Sequence, residues 1–257
     1  MNMNKNTNTN IKKNYSIEKS GPKLKIHLKE PHETLLKSIL TMGSGSGSLN
    51  GVSLVDSFLM IQFYGNSMIS LKELLSSRKN KRLDYATTTR LIDCLYKQQQ
   101  YLCEHGYSFY SFNVEDIMVV DEWTFFFINS AFIKELRPGL ELDLDLALNN
   151  KRDKDTQHVL FHIPFTKNSF CSPEIMDLKS VPSYVSLKTI YYSLASLAYF
   201  CFFGMFLELN MNMDMDMDMN MDMNMDLNLE SIAHTKLYWF FKRALIKDVD
   251  RRRFLFI

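Results

Sequence analysis

The sequence predicts an α+β fold in which short strands precede a larger, mostly helical region. Lys23 to Lys29 alternates polar and apolar residues, as a half-exposed strand does. Tyr85 to His105 places apolar residues at helical spacing and ends at Gly106, a common helix terminator. Ile117 to Val120 and Phe125 to Ile128 are short apolar runs around a polar turn, which indicates a hairpin.

The other elements follow from local composition. Residues 1–20 are rich in Asn and predict a disordered tail, and the alternating Gly and Ser of residues 43–48 predict a flexible linker. Residues 140–155 are typical of a loop expansion. The remaining expected elements are a helix over Glu33–Leu40, an apolar strand over Ser57–Tyr64, and helices over Ile69–Ser76 and Ile232–Ile246.

An uncharged run from Ile190 to Leu207 has two interpretations. Its 18 residues reach the lower limit for a membrane-spanning helix. A central helix buried inside a globular domain is also apolar on all sides. Small and hydroxyl-bearing residues reduce its hydrophobicity, and an acidic tract follows it, so we favour the buried helix and keep a membrane anchor as the alternative.

A low-complexity tract from Asn210 to Glu230 alternates Met or Leu with Asn or Asp. Eight of the 16 Met residues lie in it. Alternation is formally typical of a strand, but Asp and Asn are poor strand formers, so we expect a surface loop. Its five Asp residues lower the formal net charge to +1, and this balance predicts no nucleic-acid partner.

The cysteines and histidines suggest neither a disulfide framework nor a metal site. Cys94, Cys103, Cys171 and Cys201 form no C-x-x-C pair and lie in apolar runs, which favours buried free thiols. His158 and His162 are four residues apart, as zinc ligands on a helix can be, but they lack an acidic partner. The N-terminal segment contains no apolar signal core, so we expect a cytoplasmic, intracellular protein.

Several segments follow one another in an order that matches a known family. Three of them are Phe58–Tyr64, Ile69–Leu75 and Tyr101–Gly106, and further along come Cys171-Ser-Pro-Glu174, Tyr192-Ser-Leu194 and Leu245–Asp248 with Arg252. They resemble the hinge strand, the helix after it, the end of the long helix, and the A-P-E, W-S-L and L-x-x-D-P-x-x-R motifs of eukaryotic-type protein kinases.

This resemblance implies a kinase-like C-terminal lobe over residues 65–257 and a reduced N-terminal lobe with the hinge strand over residues 21–64. No G-x-G-x-x-G-x-V motif occurs. Ile26-His-Leu-Lys29 has the shape of the family's V-A-I-K motif. Glu33 follows it too soon to lie on a separate helix at the usual separation, so we attribute the match of Lys29 to chance.

In the same register, Phe109 to Met118 falls on the catalytic-loop pattern H-R-D-L-x-x-x-N. Ser111 then occupies the position of the catalytic Asp, and Asp116 that of a metal-binding Asn. The other replacements that the register implies are Phe109 for His, Tyr110 for Arg, Asn129 for the second metal-binding residue (an Asp) and Ile190 for a buried Asp. It also implies an ion pair between Glu174 and Arg252.

These replacements predict a catalytically impaired pseudokinase that acts as an interaction or scaffold module. Ser111 is not a base at neutral pH, and Asn129 is a weaker ligand for Mg²⁺ than a carboxylate. The alternative is an active, atypical serine/threonine kinase that uses ATP and Mg²⁺ through Asp116 or Asp121. A protein partner is expected in the first case, and ATP and Mg²⁺ are expected only with residual activity.

Overall fold

A computed structural model describes residues 15–29, 32–41, 50–55, 60–138, 157–163, 165–207 and 229–254. The predicted linker at residues 43–48, the whole loop expansion at 140–155, and residues 208–228 of the Met-rich region lie outside these described residues. The described chain is of the α+β class, as the sequence predicts, with three small antiparallel sheets and six helices.

An antiparallel sheet of four strands forms the N-terminal part. Its strands are β1 (Tyr15–Ser20), β2 (Lys23–Leu28), β3 (Asn50–Val55) and β4 (Met60–Tyr64), in the order β1-β2-β4-β3. The strand predicted at Lys23 to Lys29 is therefore confirmed. Leu24, Ile26 and Leu28 of β2 are buried, while the residues between them are half-exposed, which is the predicted alternation.

The expectation that residues 1–20 form a disordered tail is wrong for residues 15–20, which form β1. This strand pairs with β2 through a two-residue turn, at which Gly21 has a φ of +61° that favours glycine. Only Tyr15 of β1 is buried, so the strand carries no apolar alternation in the sequence. The backbone ladder to β2 and the single buried side chain of Tyr15 hold it in place.

Helix α1 (Glu33–Leu40) begins directly after the N-terminal hairpin and has the predicted bounds. The Nδ1 atom of His32 accepts a hydrogen bond from the backbone N–H of Leu35 at 3.2 Å and caps the helix. Glu33 is thus the first residue of the predicted helix. Leu35, Leu36 and Ile39 are buried, and the helix packs against the long helix α3.

The larger part combines two further sheets with five helices. Its strands are β5 (Met68–Ser70), β6 (Tyr107–Phe109), β7 (Ile117–Val120), β8 (Thr124–Phe127), β9 (Ile133–Pro138), β10 (Gln157–Phe161) and β11 (Ser183–Ser186). Its helices are α2 (Leu71–Ser77), α3 (Tyr85–Glu104), α4 (Pro173–Met176), α5 (Thr189–Phe203) and α6 (Lys236–Ala244). The strand orders are β5-β7-β8 and β11-β10-β9-β6.

Helix α3 organises the strands around it through two adjacent buried glutamines. Gln98 donates to the carbonyl of Phe127 at 2.8 Å and accepts from its N–H at 2.9 Å. It thus provides hydrogen-bond partners for both backbone groups of this last residue of β8. Gln99 accepts from the N–H of Phe109 at 3.0 Å and donates to the hydroxyl of Ser108 at 2.8 Å. Helix α3 therefore hydrogen-bonds to both β6 and β8, the strands that lie before and after residues 110–123 in the chain.

Helix α5 occupies the uncharged run and is buried along most of its length. It packs against α3 and α6 and ends at Gly204, whose φ of +76° is the left-handed conformation of a helix C-cap. The interpretation of this run as a buried helix is confirmed. Among the described residues, no helix combines the length and apolar character needed to cross a membrane.

The C-terminal helix is shorter than expected. The predicted span of Ile232 to Ile246 divides into a 3₁₀ turn at Glu230–Ile232 and helix α6. Thr235 caps α6 by accepting a hydrogen bond from the N–H of Tyr238 at 3.3 Å. Leu229, which the sequence predicts to lie in the low-complexity loop, is buried in the core instead.

We predict that Gln98→Leu lowers the free energy of unfolding by about 2–4 kcal/mol, because it leaves the N–H and the carbonyl of Phe127 without a partner. Urea unfolding followed by circular dichroism measures this loss. Gln100→Leu is the matched control, since Gln100 is exposed on the same helix and should change stability by no more than about 0.5 kcal/mol. Equal losses in the two variants would contradict the proposed role of Gln98.

Candidate functional site

The candidate site is the loop from Tyr110 to Asp116, which connects β6 to β7 through the centre of the larger part. Tyr110, Ser111 and Phe112 are buried at its start. Ser193 of α5 donates a hydrogen bond to the carbonyl of Tyr110 at 2.9 Å. Ile190, one turn earlier on the same helix, is buried and apolar, so Ser193 supplies the polar contact between helix and loop.

Ser111, at the predicted catalytic position, is fully buried, and its hydroxyl group is engaged by an amide. Its Oγ donates to Oδ1 of Asn168 at 2.8 Å. The same asparagine donates to the carbonyl of Phe112 at 2.8 Å and accepts from the N–H of Phe170 at 2.9 Å. Ser111 therefore links the loop to the segment before α4, and no general base hydrogen-bonds its hydroxyl within the described chain.

Asp116 is buried at the end of the loop and is held by two asparagine side chains. Its Oδ2 accepts from Nδ2 of Asn129 at 2.7 Å and from Nδ2 of Asn113 at 3.1 Å. Its backbone carbonyl accepts from the N–H of Ile128 at 3.1 Å, at the end of the β7–β8 hairpin. The structure thus brings the predicted positions Asp116 and Asn129, together with Asn113, around one carboxylate.

The orientation of these amides opposes metal binding. Oδ1 of Asn129 accepts from the N–H of Ala131 at 3.0 Å, and Oδ1 of Asn113 accepts from the N–H of Glu115 at 3.3 Å. Both side chains therefore turn NH₂ groups, rather than oxygen lone pairs, toward Asp116. A hard cation such as Mg²⁺ needs oxygen ligands, so the cluster does not fit a bound metal. No group of three or more His, Cys, Asp or Glu residues among the described ones could hold a metal ion either.

Tyr15 joins the N-terminal sheet to the same cluster. Its hydroxyl donates to the carbonyl of Glu115 at 2.9 Å and also hydrogen-bonds the side chain of Asp116. Burial, followed by the negative charge of Asp116, raises the pKa of this hydroxyl. Tyr15 therefore stays protonated, and its hydroxyl donates the hydrogen bond that holds β1 against the loop.

Glu174 and Arg252, which are 78 residues apart, form a bidentate ion pair. The Nη1 atom of Arg252 donates to Oε1 of Glu174, and its Nη2 donates to Oε2 at 2.9 Å. Nε of Arg252 donates to the carbonyl of Ile246 at 2.7 Å, and the guanidinium lies 4.9 Å from the centroid of the Tyr192 ring. The hydroxyl of Thr189 donates to the same carboxylate. The pair thus fastens the C-terminal segment to α4 and α5.

The environment of Glu174 holds its pKa below the ordinary range. Burial by itself raises this pKa. The hydrogen bonds and positive charge of Arg252, together with the hydrogen bond from Thr189, lower it by more than burial raises it. The carboxyl group is therefore ionised at neutral pH, and Arg252, whose side chain is completely buried, has its counter-ion.

The other residues singled out in the sequence lie away from these contacts. Lys29 is exposed beyond the end of β2. Oδ1 of Asp121 accepts from the N–H groups of Asn66 and Ser67, both at 2.8 Å, so this carboxylate closes a surface turn. His158 lies on strand β10 and not on a helix, which removes the geometry of a helical zinc site.

The four cysteines are free thiols, as expected. Cys94, Cys171 and Cys201 are buried, and Cys103 is half-buried.

Three residues that contact the loop were missed in the sequence. Asn168 and Ser193 lie outside the loop motif, and Tyr15 lies in a segment that we expected to be disordered. Ser193 carried the only available signal, because it is a polar residue inside an apolar helix that must find a hydrogen-bond partner. Contacts across 57 to 100 residues of sequence bring Asn168 and Tyr15 to the loop.

Comparison with protein-family models finds none that matches this chain, and no curated protein matches its sequence.

We predict that Arg252→Met lowers the free energy of unfolding by about 3–5 kcal/mol, because it leaves the carboxylate of Glu174 without its counter-ion. Chemical unfolding in urea measures the loss. Arg251→Met is the control, since the neighbouring Arg251 is exposed and its replacement should cost about 0.5 kcal/mol or less. A loss below about 1 kcal/mol for Arg252→Met would show that the pair does not anchor the segment.

The same pair predicts a pH dependence with a defined sign. Because folding lowers the pKa of Glu174, its stabilising effect is complete above the unfolded value of about 4.3 and disappears as the pH falls through the lower folded value. The stability difference between wild type and Glu174→Gln should therefore be constant from about pH 5 to 7 and shrink below about pH 4. Urea unfolding at several pH values measures it, and a difference that grows in acid would contradict this assignment.

Proposed function

We propose that this chain is a catalytically impaired protein-kinase-like domain that acts as an interaction or scaffold module. The observation that carries the proposal is the neutral hydrogen-bond network at the positions that the resemblance assigns to catalysis. Ser111 donates to Asn168, and Asp116 accepts from Asn113 and Asn129. Each of these polar groups is already engaged in holding the loop.

The architecture supports the kinase-like part of this proposal. The N-terminal sheet of four antiparallel strands with α1 between β2 and β3 is compatible with a reduced N-terminal lobe. The hairpin β7–β8 follows the loop directly, and the ion pair of Glu174 and Arg252 joins the two segments that the resemblance pairs. These features occur in the chain order that the resemblance implies.

The chemistry of the site supports impairment. Phosphoryl transfer needs bound metal ions, a cation on the nucleotide phosphates and a carboxylate that orients the attacking hydroxyl. The amide NH₂ groups around Asp116 do not fit Mg²⁺, and Ser111 contacts no carboxylate within the described residues. We therefore assign no step to ATP or Mg²⁺ in this protein.

An interaction role explains why the loop retains a defined conformation without the catalytic groups. The neutral contacts from Asn168 and Ser193 hold the same backbone segment in place, and Tyr15 holds the N-terminal sheet against it. Such a scaffold presents a constant surface to a protein partner. The alternative of an active kinase would need Asp116 or Asp121 to leave its present hydrogen bonds.

We predict that MgATP at millimolar concentration does not raise the melting temperature and that purified protein transfers no radiolabelled phosphate to itself or to a generic protein substrate. Asp116→Asn is the matched variant, because it removes the loop's buried carboxylate while keeping its shape. Partner capture in cells should be equal for wild type and Asp116→Asn, since an interaction module needs no chemistry there. Phosphate transfer that Asp116→Asn abolishes would refute the proposal in favour of an atypical kinase.

A further inference from the structure

The loop between α2 and α3 presents a group of cations that the hydrogen-bond network of the candidate site does not use. Residues 78–82 read Arg-Lys-Asn-Lys-Arg, so four of these five side chains are positively charged. Arg78 pairs with Glu122 at the tip of the β7–β8 hairpin, with Nη2 at 2.7 Å from Oε2. The other three cations are exposed and have no acidic partner among the described residues; they are Lys79, Lys81 and Arg82.

The backbone of this loop is fixed by hydrogen bonds at both ends. The N–H of Lys81 donates to the carbonyl of Arg78 at 2.9 Å, and the N–H of Leu83 donates to the carbonyl of Cys201 on α5 at 2.8 Å. Lys81 has a φ of +52°, an uncommon conformation for a residue other than glycine. Leu83, which follows the loop, is buried. The cations therefore project from an ordered segment, and little backbone freedom is lost when a ligand binds them.

An exposed aromatic side chain, Trp123, lies at the hairpin tip directly after Glu122, and therefore beside the basic loop. It is 44% exposed. Nε of Arg90 donates to its carbonyl at 3.3 Å, and the guanidinium of Arg90 lies 5.9 Å from the centroid of the Trp123 ring. The ring is thus held against α3 while part of it faces water. Tryptophan is among the residue types most enriched at the side-chain positions that dominate protein interfaces.

The charge balance of this region is positive although the whole chain is nearly neutral. Residues 78–90 and 121–123 contain five Arg or Lys residues and three Asp or Glu residues, an excess of two positive charges. Glu122 has its ion pair within the same region, and Asp84 accepts from a backbone N–H as the cap of α3. Asp121 accepts from two backbone N–H groups of a neighbouring turn. The excess positive charge is therefore carried by the exposed cations of the loop.

We propose that the surface formed by residues 78–82 and Trp123 binds an acidic segment of the protein partner. The carboxylates of that segment lie beside the cations of the loop, and one of its apolar side chains covers the exposed part of the indole ring. Charge complementarity supplies the attraction and the orientation, and burial of the ring supplies the apolar contact. This inference rests on the proposed interaction function and specifies the chemistry of the partner.

The surface favours an acidic protein segment over a nucleic acid. A protein that binds duplex DNA makes about 6–10 phosphate contacts with Lys and Arg side chains. In the described part of this region, three cations lack an acidic partner, which matches a short segment with a few carboxylates. The formal net charge of +1 also gives the chain no long-range attraction for a polyanion.

The test measures the binding of a short fluorescein-labelled peptide to the full chain by fluorescence anisotropy. The peptide alternates Asp or Glu with Leu, and its amide counterpart carries Asn and Gln at the acidic positions. We expect wild type to bind the acidic peptide about tenfold more tightly than the amide peptide. This difference should shrink as the NaCl concentration rises from about 50 to 300 mM, because salt screens exposed charges.

Two variants of the surface test its two components. Lys79→Glu combined with Lys81→Glu should weaken binding of the acidic peptide about tenfold or more, because the charge of the loop is reversed. Trp123→Ala should weaken binding of both peptides, because the apolar contact is lost.

Matched control variants lie elsewhere on the protein. Trp239 of α6 is 46% exposed, and the guanidinium of Arg243 lies 5.7 Å from its ring centroid, so it resembles Trp123. Lys179 and Lys236 are exposed, and their joint replacement by Glu changes the net charge by the same amount as the loop variant. Trp239→Ala and the Lys179→Glu, Lys236→Glu variant should retain the affinity of wild type.

A folding defect is separated from a binding defect by the melting temperature. Every replaced side chain is exposed, so each variant should melt close to wild type. The proposal is overturned if wild type binds both peptides equally, or if the control variants lose as much affinity as the loop variant. It is also overturned if oligothymidylate binds through Lys79 and Lys81 more tightly than the acidic peptide does.

These measurements use no ATP. Phosphate transfer by the wild-type protein would refute the pseudokinase proposal and leave peptide binding at the basic loop unaffected. Absence of peptide binding would overturn the docking surface and leave the result with MgATP unchanged, so the two failures can be told apart.

Discussion

The loop from Tyr110 to Asp116 depends on one constraint. A buried segment that is neither helix nor strand must satisfy its backbone and side-chain polar groups without water. Here neutral side chains meet the constraint: Ser193 bonds the carbonyl of Tyr110, Asn168 bonds that of Phe112, and two asparagines bond the carboxylate of Asp116. Removing Ser193 or Asn168 would take away the side-chain bond to a carbonyl of the loop.

The surrounding elements are arranged by these contacts. Ser193 fixes the position of α5, and Asn168 fixes the segment that leads into α4, so both elements meet at the loop. Gln98 and Gln99 of α3 hold the strands on either side of it. The ion pair of Glu174 and Arg252 then joins α4 to the C-terminal segment. Local hydrogen bonds therefore connect parts of the chain that are far apart in sequence.

This arrangement relates the fold to the proposed function. A catalytic loop needs charged groups that remain available to a substrate, whereas every predicted catalytic position here is already paired inside the protein. Under the proposed function, the loop is kept for its conformation and not for phosphoryl transfer.

The sequence alone predicted the elements whose side chains carry a clear period or stop signal. Helices α1 and α3, strand β2, the hairpin β7–β8 and the buried helix α5 are in this group, because their burial patterns are local. The register of the family resemblance also predicted the pair of Glu174 and Arg252.

Tertiary structure decided the rest. Strand β1 exists because β2 supplies its backbone partners, and Asn168 and Tyr15 reach the loop across long separations in sequence. Whether the Asn113 and Asn129 side chains turn oxygen or NH₂ toward Asp116 depends on the backbone N–H groups that bind their Oδ1 atoms. No periodicity in the chain encodes that choice, because it depends on single hydrogen bonds from the N–H groups of Ala131 and Glu115 to the neighbouring asparagines.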